Sequence, residues 1–265
     1  MTTSLHTRFR PLLAGLLVLG VVLSACGGDD SDEAAPEPST TTAPTTTTTA
    51  PTTTTTAPEP PGSMIAQAHG TEIAIYDEPG AAEPSRILTD DEAVSVPGAV
   101  PIVFLVAEDA GEWLKVNLPV RPNGSTGWVR ASDVDTSRTT YRVEVQLSAH
   151  RVKVFDGDQV ILDEAVGVGR TDRPTPGGVY YIKELLQPPS PNGAYGPYAY
   201  GLSGFSNVLQ TFGDGNGVIG LHGTNDPSAI GQDVSSGCIR MPNDRISYLV
   251  EDVGLPLGTP VEIIA

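Results

Sequence analysis

From residue 64 onward the apolar positions mostly alternate with polar ones or form short runs, the period expected of strands with one buried face. Ile73 and Ile75, Ile102 to Val106, and Leu114, Val116 and Leu118 predict short strands between Met64 and Ser137, with Asn123-Gly124 and Gly127 as turn signals before Trp128-Val129. A second series opens at Tyr141, Val143, Val145 and Leu147, passes through Val152 and Val154, and turns at Asp156-Gly157 into Val160 to Leu162. Val179 to Ile182, Val208 to Phe212, Val218 to Leu221 and Val261 to Ile264 predict the remaining strands. One helix is expected: Asn243 as cap, Ile246, Leu249, Val250 and Val253 on one face, and Gly254 as its stop. The fold class is therefore mainly β, in two modules over residues 64–137 and 138–265, the second with one short helix.

Charge narrows the functional classes. The 265 residues carry 15 Lys+Arg against 32 Asp+Glu, a net charge of −17, which leaves no basic surface for phosphate and argues against nucleic-acid binding. Two cysteines cannot form a disulfide framework, and no H-x-x-H or C-x-x-C pair suggests a metal site, so no metal or cofactor is expected.

The first 63 residues have no strand or helix period that could build a core. Arg8 and Arg10 precede an apolar run from Leu12 to Leu23, the pattern of a secretory leader over residues 1–25. Leu23-Ser24-Ala25-Cys26 resembles the lipobox of bacterial lipoproteins, which implies lipidation at Cys26, a membrane anchor and an extracytoplasmic location. Residues 26–63 read as a disordered tether: Ala43-Pro44 and Ala50-Pro51 are each followed by five threonines, and nothing there can offset the entropy of ordering. In extended form the tether would reach roughly 110 Å at about 3.1 Å per residue.

With Cys26 acylated, Cys238 is the one free thiol. Free cysteines are often inert core residues, but His222 lies sixteen positions upstream at the end of an apolar run, where it could act as base or cationic partner to a thiol. Gly223 and Gly237 would allow backbone to approach a substrate, and the amides of Ser236, Gly237 and Cys238 could face a developing oxyanion. His69 and His150 read as surface or turn residues. Pro188, Pro189, Pro191, Gly193, Tyr195, Gly196, Pro197, Tyr198 and Tyr200 mark a long loop over 188–205, either a cover for the site or an Ω-loop packed on its own tyrosines.

Two resemblances give these residues a context. Trp113-Leu114-Lys115-Val116 with Gly127-Trp128-Val129-Arg130 and Asp133-Val134 resembles a bacterial SH3-like domain; the two tryptophans read as core more readily than as a peptide groove. His222-Gly223-Thr224 and Ser235-Ser236-Gly237-Cys238-Ile239-Arg240-Met241, with Thr175-Pro176-Gly177-Gly178, resemble the signature of L,D-transpeptidases of the YkuD family over nearly all of residues 140–265. That resemblance implies a β-sandwich catalytic domain acting on peptidoglycan stem peptides. Cys238 would be the nucleophile and His222 the general base and acid, with Tyr195, Tyr198 and Thr224 near the substrate. Gly223 or Ser235 would orient the imidazole, and Arg240 would bind a substrate carboxylate or brace its loop. Family members commonly carry histidine two positions before the cysteine, where Ser236 stands here. Water as acceptor would make the protein a carboxypeptidase, and a site without catalysis would leave a peptidoglycan-binding lipoprotein.

Overall fold

A computed structural model describes residues 62–213 and 215–265; the expected leader, Cys26 and nearly all of the expected tether lie outside these residues. The N-terminal module begins with β1 (Ser63–Ala68), a hairpin of β2 (Glu72–Ile75) and β3 (Arg86–Thr89), and the helical turn α1 (Asp90–Ala93). It continues through β4 (Val103–Asp109), β5 (Trp113–Asn117), β6 (Thr126–Arg130) and β7 (Val134–Thr139). Five of these strands form a sheet in the order β6-β5-β4-β1-β7, all neighbours antiparallel. Alternation does what the pattern predicts: on β5, Leu114 and Val116 are buried while Trp113, Lys115 and Asn117 are half-buried. Trp128 belongs to the buried set, whereas Trp113 stands edge-on to Tyr76 beside the Arg130 guanidinium.

The second module contributes β8 (Tyr141–Gln146), β9 (Arg151–Asp156), β10 (Gln159–Ala165), β11 (Val168–Gly169), β12 (Gly178–Leu186), β13 (Ala199–Phe205), β14 (Val218–His222), β15 (Asp233–Ser235), β16 (Ile239–Arg240) and β17 (Pro260–Ile264). Eight of them form one sheet in the order β10-β9-β8-β17-β12-β13-β14-β16, with parallel pairing at β8–β17 and β14–β16. Val143, Val145, Val152, Val154, Leu221 and Ile239 are fully or almost fully buried in its core.

Three expectations need correcting. Residues 199–205, expected to continue a loop, form β13, and every residue of that strand is buried. A strand buried on both faces shows no alternation. Gly201 and Gly204 sit where a Cβ would strike the Glu184 side chain and the Tyr180 ring, so small residues are required there. Conversely, Val208 to Phe212 is no strand; both of those residues are about half exposed in a loop closed by the Phe212–Gly215 bridge. The expected helix is α2 (Asn243–Ser247) followed by a π-helical turn over Tyr248–Val253, ending at Gly254 with φ 67°. Pro242 occupies the cap position, which frees the Asn243 side chain for another partner.

The two modules share a compact unit, and polar contacts join them. Glu184, fully buried on β12, accepts the Ser95 backbone N–H at 2.7 Å and the Ser95 hydroxyl at 2.6 Å. Its neighbour Lys183 lies 3.1 Å from the same carboxylate and donates to the Ala93 carbonyl at 2.8 Å. Burial lowers the Lys183 pKa, and Glu184 works against that fall. Val103 and Leu105 of β4 pack on Tyr181 of β12 beside Leu257. Removing one partner of a buried ion pair leaves an uncompensated charge. Glu184→Ala should therefore lower unfolding stability by about 3–5 kcal/mol, read from urea titration. An unchanged midpoint would mean the pair contributes nothing to holding the modules together.

Candidate active site

The parallel pairing of β14 with β16 sets Leu221 opposite Ile239 and His222 opposite Arg240. Leu221 and Ile239 both point into the core at 0% exposure. Alternation then turns His222, Arg240 and the preceding Cys238 to the other face of the sheet. There the residue opposite Cys238 is Gly220, and a hydrogen bond from the Gly220 backbone reaches the thiol; a Cβ on Gly220 would meet the Tyr200 carbonyl oxygen at 3.0 Å. The sequence therefore builds the site by alternation: core, site, core, site.

His222 and Cys238 line the same two cavities, one of about 670 Å³ and one of about 300 Å³. His222 is 4% exposed, and its Nδ1 lies 2.6 Å from the Gly223 carbonyl oxygen. A carbonyl can only accept, so Nδ1 carries the proton and Nε2 keeps a free lone pair. Burial lowers the His222 pKa to about 4; the Gly223 hydrogen bond opposes this and the Arg240 charge adds to it. Burial also raises the Cys238 pKa, against the pull of Gly220 and Arg240. Both shifts favour the uncharged forms, so at neutral pH the site rests as thiol and imidazole.

The turn before Cys238 is held by Ser235, which is 1% exposed. Its hydroxyl donates to the Cys238 carbonyl at 2.6 Å and accepts the Gly237 N–H at 3.1 Å. The Gly237 N–H, expected to face an oxyanion, is thus engaged inside the turn, which leaves the Ser236 and Cys238 amides as candidates. Gly237 has φ 117°, where a side chain would be strained. Ser236 Oγ accepts from Arg173 at 3.4 Å.

Tyr195 lines both cavities, with its ring centroid 4.8 Å from that of His222. Burial raises its hydroxyl pKa; Cys238 adds to the rise and Arg240 opposes it. Arg240 lines the smaller cavity, and its buried Nε has no hydrogen-bond partner within the protein. The structure does not bring Tyr198 or Thr224 into either cavity. The Tyr198 hydroxyl donates to Glu251 at 2.8 Å, and Thr224 Oγ1 accepts the Asp226 N–H at 3.1 Å. Asn243, read from sequence only as a helix cap, accepts the Thr224 N–H at 2.8 Å and so pins the chain just after His222. Gly196 and Gly223 pack backbone to backbone against that same side chain, where a Cβ on either would collide. Pro242 directly before Asn243 was the available signal, since a residue relieved of capping can bind elsewhere. Among the described residues no group of three or more His, Cys, Asp or Glu could hold a metal, and no helix is long and apolar enough to cross a membrane.

With this geometry in view, comparison with known proteins is specific. Residues 140–263 match the YkuD family, described as the L,D-transpeptidase catalytic domain. The YkuD protein of Bacillus licheniformis is 35% identical over 123 residues, 46% of this chain and 65% of that one. Its counterpart in Bacillus subtilis is 33% identical over 123 residues, with the same two coverages. The chain thus spans 65% of the length of each of these curated relatives. Among solved structures, an L,D-transpeptidase from Mycobacterium smegmatis shares 14% identity, with a TM-score of 0.38 over 60% of this chain and 80% of that one. The segment that holds both Cys238 and His222, residues 140–263, is thus the one that is similar to the L,D-transpeptidase catalytic domain of the YkuD type.

Proposed function

We propose that the protein is a peptidoglycan L,D-transpeptidase in which Cys238 is the acyl-accepting nucleophile and His222 its base and acid. The observation that carries this reading is a thiol and an imidazole facing one cleft from paired strands, with the imidazole proton fixed on the nitrogen that points away from catalysis. Cys238 attacks the carbonyl of the third residue of a tetrapeptide stem as His222 Nε2 takes the thiol proton. The C–N bond to the terminal D-alanine then breaks, and His222 returns the proton to the departing amine. An amine of a second stem attacks the thioester, the C–S bond breaks, and the proton lost by that amine restores the thiol through His222. The Ser236 and Cys238 amides stabilise the tetrahedral oxyanion. Arg240 lines the smaller cavity, where its guanidinium would meet a substrate carboxylate.

Because both groups rest uncharged, the nucleophile forms during attack and is not stored as an ion pair. The rest of the chain takes its place accordingly: residues 1–25 direct export, Cys26 carries a lipid, residues 26–63 span outward, and an SH3-like module precedes the catalytic domain at the cell wall.

Two measurements test the proposal. Purified protein incubated with tetrapeptide stems should release D-alanine and give dimers joined between third residues, and Cys238→Ala should reduce this by about a thousandfold or more. Tripeptide alone would assign water as acceptor, and unchanged stems would overturn the assignment. Alkylation of Cys238 by iodoacetamide tests the resting state. A folded pKa above the ordinary 9.0 leaves little thiolate at neutral pH, so the rate should climb with pH through 9 instead of levelling near 6 or 7. A plateau beginning below pH 7 would show a pre-formed thiolate.

A further inference from the structure

The larger cavity beside Cys238 is not built by the catalytic domain alone: Ser95, Val96, Ala99 and Val100 of the N-terminal module form part of its wall. Ser95 is fixed there through both of its hydrogen bonds to Glu184, and Val94 just before it is buried in the first module's own core. The same module also grips the loop carrying Phe212, another lining residue. Arg121 donates to the carbonyls of Ser206, Leu209 and Asn216 at 2.8, 2.9 and 3.1 Å, and Asn123 exchanges hydrogen bonds with the Phe205 backbone.

The chemistry of this wall differs from that of the smaller cavity. Among the described residues Glu184 is the one charged residue that lines the larger cavity, and both carboxylate oxygens are taken up by Ser95 and Lys183. Val96 at 46% exposure and Phe212 at 50% exposure present apolar surface at the opening. The smaller cavity instead offers Arg240. A carboxylate in the larger cavity would meet Glu184 and find no cation among the described lining residues, whereas an uncharged aliphatic segment would bury its methyl groups without loss. A volume of about 670 Å³ is in the range of sites that hold a short peptide.

We propose that residues 94–100 of the N-terminal module form a subsite of the catalytic cleft for an uncharged, aliphatic stretch of stem peptide, so that substrate is recognised by both modules. This rests on the transpeptidase reading and deepens it.

The test uses the full chain with tetrapeptide stems. Val96→Trp fills the opening and should raise KM for the stem about tenfold, with kcat changed less than about twofold. Ile87→Trp alters an equally exposed residue of the same module outside the cavity and should leave both constants at wild-type values. Val96→Asp, which places a charge on the apolar wall, should raise KM likewise and carries the test if the tryptophan variant fails to fold. Wild-type KM in both folded Val96 variants of an active protein overturns the subsite alone. A wild-type protein that leaves stems unchanged overturns the transpeptidase reading and the subsite with it.

Discussion

The site depends on one short parallel pairing. Two residues of β16 dock beside the end of β14, and with Leu221 and Ile239 buried as a pair, the neighbours on each strand have no choice of face. A slip of one residue would bury the imidazole and thiol in the core and expose two large aliphatic side chains. Hydrophobic burial of Leu221 and Ile239 therefore orients the polar pair, and the flanking glycines adapt the backbone to that register. Gly220 lies close against the Tyr200 carbonyl, Gly223 turns the chain so that its carbonyl meets Nδ1, and Gly237 takes a backbone conformation that side chains avoid.

Arg240 acts on three groups of the cleft: it stabilises the anionic forms of Cys238 and Tyr195 and disfavours a charged His222. Desolvation outweighs it at the thiol but acts in the same direction at the imidazole. The result is an asymmetric site, with an imidazole held neutral by two effects and a thiol held neutral by one effect against others. A hydrogen-bond donor brought to the sulfur needs to shift only the second balance.

Much of this was legible in the sequence because alternation reports burial directly. Val143, Val145, Val152 and Val154 could be placed in a sheet from their spacing, and Cys238 with His222 stood out as the thiol and the imidazole next to glycines. What escaped reading has physical causes. β13 is buried on both faces and filled with small residues against Glu184 and Tyr180, so it carries neither a period nor bulk. The segment from Val208 to Phe212 imitates a strand because apolar residues can line a cleft as well as a core, as Leu209 and Phe212 do. The contact between Ser95 and Glu184 joins residues 89 positions apart, and no local pattern encodes such a pairing. Asn243 has the composition of a cap, and its actual partner, the Thr224 amide, is visible only once the chain has folded back.

The raised affinity of Cys238 for its proton has a consequence beyond turnover. Peroxide and disulfides consume cysteines through the thiolate, so a sulfur that stays protonated while idle is slow to be oxidised. Among the described residues no second cysteine stands ready to resolve a sulfenic acid, so the sulfur of Cys238 gains durability from that reluctance. Desolvation that keeps the thiol protonated thus also acts as its preservative.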